Sequence, residues 1–235
     1  MFSNNNTKTN LVRSVSDMKY KTDKKFTRAL SSKEHNIETE HELIEAFTNI
    51  VEFKDDYSKG HLYRVAQYTK IIARGLGLSE KAQDNYYLSG ILHDIGKVMT
   101  PSRILSKPGK LTDEEFEIIK QHTKLGYAIL SSIKSMPNLA IGALYHHERW
   151  DGKGYLEGLA GRDIPRIARV IAVADCFDAM YSDRPYRNRL EFNKVIQIIR
   201  EVRGTQLDPD IVDVFLDSVH REEIEQIALN NYWKV

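Results

Sequence analysis

Apolar residues recur along the chain at steps of three and four positions, the spacing that places them on one face of an α-helix. The first such stretch starts at about Thr39, where Leu43, Phe47, Ile50 and Val51 follow without an intervening Pro or Gly. No stretch alternates apolar and polar residues as a half-buried strand does. The pattern therefore predicts an all-α fold, in which the folded domain begins at residue 39.

Local start and stop signals divide this pattern into further helices. A second helix begins at His61, and a third runs from Ala82 to Ile95 with Gly96 placed as its C-terminal stop. Thr112 and Glu115 have the spacing of a capping box, which predicts the start of a long helix.

A later helix, following Pro165, is apolar nearly all round and is therefore predicted to be buried. It nevertheless contains two acids, Asp175 and Asp178, one turn apart. A buried carboxylate is costly unless a cation or hydrogen-bond donors compensate it. The pair therefore indicates a compensating partner, for which a metal ion is one candidate.

Composition limits the partners of the chain. Its 235 residues are 41% hydrophobic and 29% charged with a formal net charge of +1, typical of a soluble globular protein. Residues 1–30 hold seven Lys or Arg and two Asp, a net charge of +5. We predict a basic, disordered tail over residues 1–38 and one domain over residues 39–235, and expect no DNA or RNA partner.

No apolar run approaches the ~20 residues that a membrane helix needs, and the N-terminus has no secretory-signal block, so we expect no membrane span and a cytoplasmic location. The single cysteine, Cys176, cannot form an internal disulfide and is interpreted as a small core residue.

Several histidines and aspartates lie on or beside apolar helical faces, where they are candidate metal ligands. They are His61, His93, Asp94, His122, His146, His147 and Asp175. Taken singly, each is more often a hydrogen-bonded structural residue, so the cluster has to support the metal hypothesis. Imidazole and carboxylate without thiolate suit iron, manganese or zinc.

Adjacent residues on a helix project roughly 100° apart, so His93 and Asp94 reach one site only near a helix end. Asp94 would then be free to bridge two metals. His146 and His147 pose the same question at the end of a helix that opens into a glycine-rich loop. Viewed alone, that pair could equally be two surface histidines.

Two motifs resemble the HD-GYP family, a subgroup of the HD phosphohydrolase superfamily. They are LHDIGK at residues 92–97 and HHERWDGKGYLEGL at residues 146–159. Similar blocks surround His61 and His122 and extend from Ile164 to Arg187, so the resemblance covers roughly residues 45–220. It implies a single HD-type helical bundle domain.

The resemblance also implies a ligand set of two divalent metal ions, with iron or manganese favoured. The first ion is expected on His61, His93, Asp94 and Asp175, and the second on Asp94, His122, His146 and His147. Beside Asp94, the expected catalytic residues are Lys97, which stabilises charge on the phosphate, and Asp178, which orients Lys97. The alternative for Lys97 is a solvated loop lysine.

By the same resemblance, Arg184 and Arg187 match positions that contact the nucleotide. The planar guanidinium of arginine is suited to bind phosphate or guanine edges. Their alternative role is to close the loop through salt bridges.

The sequence departs from the family pattern at two positions. Leu156 replaces the motif's proline, which bears on loop shape and on a protein partner at residues 151–163. Tyr57 stands where members with a third ion use a glutamate, which favours two metals.

By this resemblance, the expected substrate is cyclic di-GMP. A hydroxide held between two metals would attack its phosphorus and open the ring to give linear pGpG. Whether pGpG is cleaved further to GMP, and whether the chain forms a homodimer, are left open. One alternative is an enzyme of the same superfamily acting on another cyclic dinucleotide or nucleotide. Another is a catalytically silent module that binds a nucleotide or a partner, and a third is a plain helical scaffold.

Overall fold

Helices form all the regular secondary structure that the computed structural model describes, over residues 33–54, 60–183 and 187–229, beside one isolated bridge between Arg203 and Leu207. They are α1 (Lys33–Lys54), α2 (His61–Gly75), α3 (Glu80–Leu92), α4 (Ser102–Leu105), α5 (Asp113–Leu130), α6 (Pro137–Tyr145), α7 (Arg166–Tyr181), α8 (Phe192–Glu201), α9 (Pro209–Ser218) and α10 (Arg221–Leu229). Short 3-10 helices span Ile95–Met99 and Gly161–Asp163. The predicted all-α class is confirmed.

The chain divides into two units, residues 1–45 and residues 46–235. Of the first unit, the structure describes only the part of α1 from Lys33 to Glu45, so the helix begins before the predicted start at Thr39. The predicted tail lies outside the described residues as far as position 32. The boundary at residue 39 stays a prediction.

Helix α7 is the centre of the second unit's core. Its Phe177 is fully buried and meets Tyr68 of α2 and Phe215 of α9 edge to face, with ring centroids 5.0 and 5.1 Å apart. Apolar side chains on all sides are what such a central position requires. The helix starts one residue after Pro165, which is its N-cap, as the sequence indicated to within a residue.

The end of α3 differs from the prediction in a way that shapes the site. The helix stops at Leu92, so His93 and Asp94 lie beyond it rather than in its last turn. Asp94 adopts φ −100° and ψ 10° and leads into the 3-10 helix, which directs its carboxylate away from the α-helical path.

The predicted capping box at the start of α5 is confirmed. Glu115 N–H donates to Thr112 Oγ1, and Thr112 N–H donates to Glu115 Oε2.

Two helices were not predicted, α4 and α10. Helix α4 has four residues, too few for a periodic pattern, and α10 buries only Ile224 and Ile227 among charged neighbours.

Cys176 is partly buried and packs against the core, and burial raises the pKa of its thiol to about 12. Among the described helices, none has the length and apolar character needed to cross a membrane.

Replacing Asp208 by Ala should lower the free energy of unfolding by about 3 kcal/mol. Asp208 is buried, its Oδ1 accepts from the N–H groups of Asp210 and Ile211, and its Oδ2 pairs with Arg169. The change removes a helix cap and leaves a largely buried guanidinium without its carboxylate. Urea unfolding measures the loss. Asp208→Asn keeps the cap and should lose less, and a loss under about 1 kcal/mol for the alanine variant would contradict this account.

Candidate metal centre

Four histidines surround the buried carboxylate of Asp94. Oδ1 of Asp94 lies 3.2 Å from Nε2 of His122 and 3.7 Å from Nε2 of His146. Its other oxygen, Oδ2, lies 3.4 Å from Nε2 of His93 and 3.8 Å from Nε2 of His61. The two oxygens therefore face two different pairs of imidazoles, as a bridging carboxylate would.

Each of these four rings is oriented by its other nitrogen. His61 donates from Nδ1 to Asp178 Oδ2 at 2.8 Å, and the other three rings donate from Nδ1 to main-chain carbonyls. The acceptor is Gly90 O for His93 at 2.7 Å, Ile119 O for His122 at 2.7 Å and Ala143 O for His146 at 3.0 Å. A proton on Nδ1 leaves a lone pair on Nε2 of the neutral imidazole. Four lone pairs thus converge on a carboxylate, and metal-binding histidines are typically held in this way.

Two buried atoms in this cluster make no hydrogen bond within the described part of the chain. They are Nε2 of His93 and Oδ1 of Asp94. Buried polar atoms without partners are costly, and a cation between lone pairs would compensate both. The ligand atoms also fall into two compact groups, each within 4.8 Å: His61, His93 and Asp94, and Asp94, His122, His146 and His147. The residues present therefore fit two divalent cations sharing Asp94.

The protonation states of His122, His147 and Asp94 suit this role, whereas that of His93 is shifted the other way. Burial, which outweighs the opposing charge of Asp94, lowers the pKa of His122 to about 4. Burial also holds the pKa of His147 well below its ordinary value, with His146 and His122 adding to the effect. Although burial acts against it, the positive charge of Lys97 holds the pKa of Asp94 well below its ordinary range. Burial also opposes protonation of His93, but the adjacent carboxylate of Asp94 outweighs it and raises the pKa of His93, so a cation at His93 Nε2 would have to displace a proton. Metal ligation needs neutral imidazole and ionised carboxylate.

The two acids of α7 lie beside His61. Oδ1 of Asp175 is 3.4 Å from His61 Nε2, although Asp175 does not belong to the compact groups. Asp178 is fully buried and was expected to orient Lys97. Instead, its oxygens accept from His61 Nδ1–H and from the guanidinium of Arg64, at 2.6 Å from Nε. Asp178 thus orients a candidate ligand, and Arg64 compensates its charge.

The remaining candidates have mixed outcomes. Nζ of Lys97 lies 2.6 Å from Asp94 Oδ2, at the edge of the cluster rather than in a solvated loop. Arg187 donates to the main-chain carbonyls of Ala179 and Met180, at the end of α7, and of Asn188. These hydrogen bonds hold the loop, but they are not the salt bridges of its alternative role. Arg184 and Tyr57 lie outside the described residues.

Sequence reasoning missed Glu148, which follows the histidine pair. Its Oε1 accepts from the N–H groups of Leu156, Glu157 and Gly158 at 2.9, 2.7 and 3.1 Å. The loop is therefore folded back on the residues that precede it, and a Cβ on Gly154 would lie 2.4 Å from Arg149 N. The only sequence signal was an acid beside two candidate ligands, because the burial of Glu148 depends on the folded loop.

A cavity of about 360 Å³ opens beside the cluster. Its walls include His146, His147, Asp175, Cys176 and Met180. Its size falls in the range of small-molecule sites. The cavity therefore gives a ligand access to three candidate metal ligands, His146, His147 and Asp175.

Comparison with known proteins agrees with this fold. The HD domain family model matches residues 45–211. A cyclic di-GMP phosphodiesterase of Thermotoga maritima is 42% identical over 199 residues, 81% of this chain and 54% of that protein. The cyclic di-GMP phosphodiesterase response regulator RpfG of Xanthomonas campestris is 38% identical over 203 residues, 86% of this chain and 53% of that protein. The chain thus spans about half the length of these relatives.

Solved structures support the fold alone. The cyclic GMP-AMP specific phosphodiesterase V-cGAP3 of V. cholerae superposes with a TM-score of 0.56 at 16% identity, over 79% of this chain and 53% of that one. The HD domain of L. monocytogenes PgpH, in complex with cyclic-di-AMP, gives 0.51 at 21%, over 77% and 92%. Fold and centre define a helical domain with a histidine–aspartate site. The chain belongs to the HD domain family, in its HD-GYP group.

Proposed function

We propose that this chain hydrolyses cyclic di-GMP to linear pGpG with two divalent ions, iron or manganese, held on the centre around Asp94. The observation that supports this most directly is the convergence of four oriented imidazole lone pairs on the two oxygens of one buried carboxylate. Ions bound there would supply a nucleophile at neutral pH and neutralise charge on the phosphate oxygens. The location proposed for the protein is the cytoplasm.

The protein's own residues have separate tasks in this proposal. The first ion is assigned to His61, His93, Asp94 and Asp175, and the second to Asp94 with the histidines of α5 and the end of α6. Lys97, beside Asp94, places a positive charge where the phosphate would sit. Asp178 keeps His61 in the tautomer that presents Nε2, since it binds Nδ1–H.

The reaction leaves the phosphate on the 5′ side of each nucleotide. Oxygen from water adds to phosphorus, the bond from phosphorus to the 3′ oxygen breaks, and that oxygen takes up a proton. One such event gives pGpG, which retains the same linkage for a second cut to GMP. We assign nucleotide contacts to Arg184 and to those donors of Arg187 that the carbonyls of α7 leave available.

A second substrate has specific support. Besides the cyclic di-GMP phosphodiesterases, a 3′3′-cGAMP-specific phosphodiesterase of Vibrio cholerae is 39% identical over 168 residues, 72% of this chain. The sequence identity to the two kinds of relative is nearly the same, so 3′3′-cGAMP is the alternative substrate. Both contain guanine and the same 3′–5′ linkage, and the centre around Asp94 is equally suited to either.

The test is hydrolysis by protein purified without oxygen and loaded with Fe²⁺ or Mn²⁺. Cyclic di-GMP, 3′3′-cGAMP and cyclic di-AMP are supplied separately, products are followed by chromatography, and bound metal is measured by elemental analysis. We expect two ions per chain and pGpG as the first product. Faster turnover of 3′3′-cGAMP would reassign the substrate. Two bound ions with no turnover of any of the three would overturn the activity and favour a binding module.

A further inference from the structure

His147 is held differently from the other four histidines of the centre. Its ring makes no hydrogen bond among the residues that the structure describes, whereas the other four rings each donate from Nδ1. The imidazole of His147 instead faces the ring of Tyr155, with centroids 4.8 Å apart and planes inclined by 30°. The described contact that orients the His147 ring is therefore with an aromatic face, and not a hydrogen bond from Nδ1.

Tyr155 is fixed against His147 from several directions. Its own N–H donates to the carbonyl of His147 at 3.2 Å. Its ring meets Phe116 edge to face at 5.8 Å, and Nζ of Lys120 lies 5.7 Å from the ring centroid. Both of those residues are on α5, the helix that carries His122. The tyrosine thus connects His147 to the helix of a fellow candidate ligand.

Glu148 fixes the loop that carries Tyr155. Three successive N–H groups, from Leu156 to Gly158, converge on its Oε1. Hydrogen bonds to an ionised acceptor are roughly twice as strong as neutral ones. Leu156 matters here, because a proline in its place would have no N–H to donate. The replacement of the motif's proline therefore adds a hydrogen bond to this anchor.

We propose that Glu148 and Tyr155 are positioning residues for His147. Glu148 folds residues 154–158 back on the chain, and the folded loop places the Tyr155 ring so that the His147 imidazole lies with those of His122 and His146. The ion assigned to these histidines depends on the loop, whereas the ion on His61 and His93 does not. This inference rests on the proposed two-ion centre.

Mn²⁺ binding to the full chain, measured by calorimetry and chelator competition, tests the proposal. Glu148→Ala and Tyr155→Leu should weaken one of the two ions 10- to 100-fold, the usual effect of losing an outer partner of a ligand, and change the other less than about threefold. Tyr155→Phe keeps the ring and should bind both ions like the wild type. Glu148→Gln keeps an acceptor and should recover most of the affinity, and Leu156→Pro should fall between.

Glu157→Gln is the matched control, because Glu157 is exposed and retains its main-chain N–H. The absorption spectrum of Co²⁺-loaded protein should change in Glu148→Ala and not in Glu157→Gln, with circular dichroism showing that both variants remain folded at the temperature of the measurement. Two ions bound normally by Glu148→Ala, or equal weakening of both, would overturn the positioning role alone. A wild-type chain that binds no Mn²⁺ would overturn the two-ion centre and this proposal with it.

Discussion

Replacing Asp94 by Asn should reduce hydrolysis of cyclic di-GMP at least about 1000-fold, equivalent to roughly 4 kcal/mol of lost transition-state stabilisation. The amide presents one oxygen instead of two, so one of the two histidine groups faces an NH₂ group that cannot bind a cation. The substitution also removes the negative charge at the centre of the site. Hydrolysis rate and metal content, measured on the same preparation, should fall together, from two ions per chain to one or none.

The matched control for this variant is Asp84→Asn. Asp84 lies on α3, the helix that leads to Asp94, but its side chain is exposed and pairs with Lys70 at 2.8 Å. It undergoes the same chemical change and should leave turnover within about twofold, because an exposed ion pair contributes little. An Asp94→Asn protein that keeps two ions and more than about a tenth of the activity would contradict the bridging role.

The helical fold could be read from the sequence because its signals are local. The capping box at Thr112 describes contacts within one turn, and it is present in the structure. The apolar character of α7 predicted its burial for the same reason. Helix α10 was missed because its packing against the core, rather than its own pattern, stabilises it.

The candidate ligands were found, but their supports were not. His61 and Asp178 are 117 positions apart in the chain and meet only because α2 packs on α7. Nothing near Asp178 in the sequence distinguishes a partner of His61 from a partner of Lys97. Glu148 escaped attention for a related reason, since its three partners form a site only when the loop folds back.

The distribution of the ligands makes metal binding depend on the fold. The candidate ligands come from the start of α2, the turn after α3, the middle of α5, the end of α6 and the interior of α7. An unfolded chain does not hold these groups together, so bound ions should stabilise the folded state. Metal binding then depends on the distance between α5 and the turn after α3, because Asp94 and His122 face each other across that gap.

Gly96→Ala should cost about 3 kcal/mol or more of folding free energy, or displace the turn and lose metal. A Cβ at Gly96 would lie 1.9 Å from the carbonyl oxygen of His122 and 2.6 Å from the N–H nitrogen of Gly126. Both atoms belong to the main chain of α5, so no side chain can rotate to make room. The 3-10 helix must move away from α5, which separates Asp94 from His122. Urea unfolding and metal content measure the two effects.

Gly126→Ala is the control from the opposite side of the same contact. Its Cβ would meet the Cβ of Ala143 at 3.2 Å and the nitrogen of Gly96 only at 3.5 Å, so small shifts suffice. Alanine also favours the helical state over glycine by about 1 kcal/mol, which offsets some of the crowding. We therefore expect this variant to stay within about 1 kcal/mol of the wild type. If Gly96→Ala were equally mild and kept both ions, close main-chain packing would not be what sets the distance between Asp94 and His122.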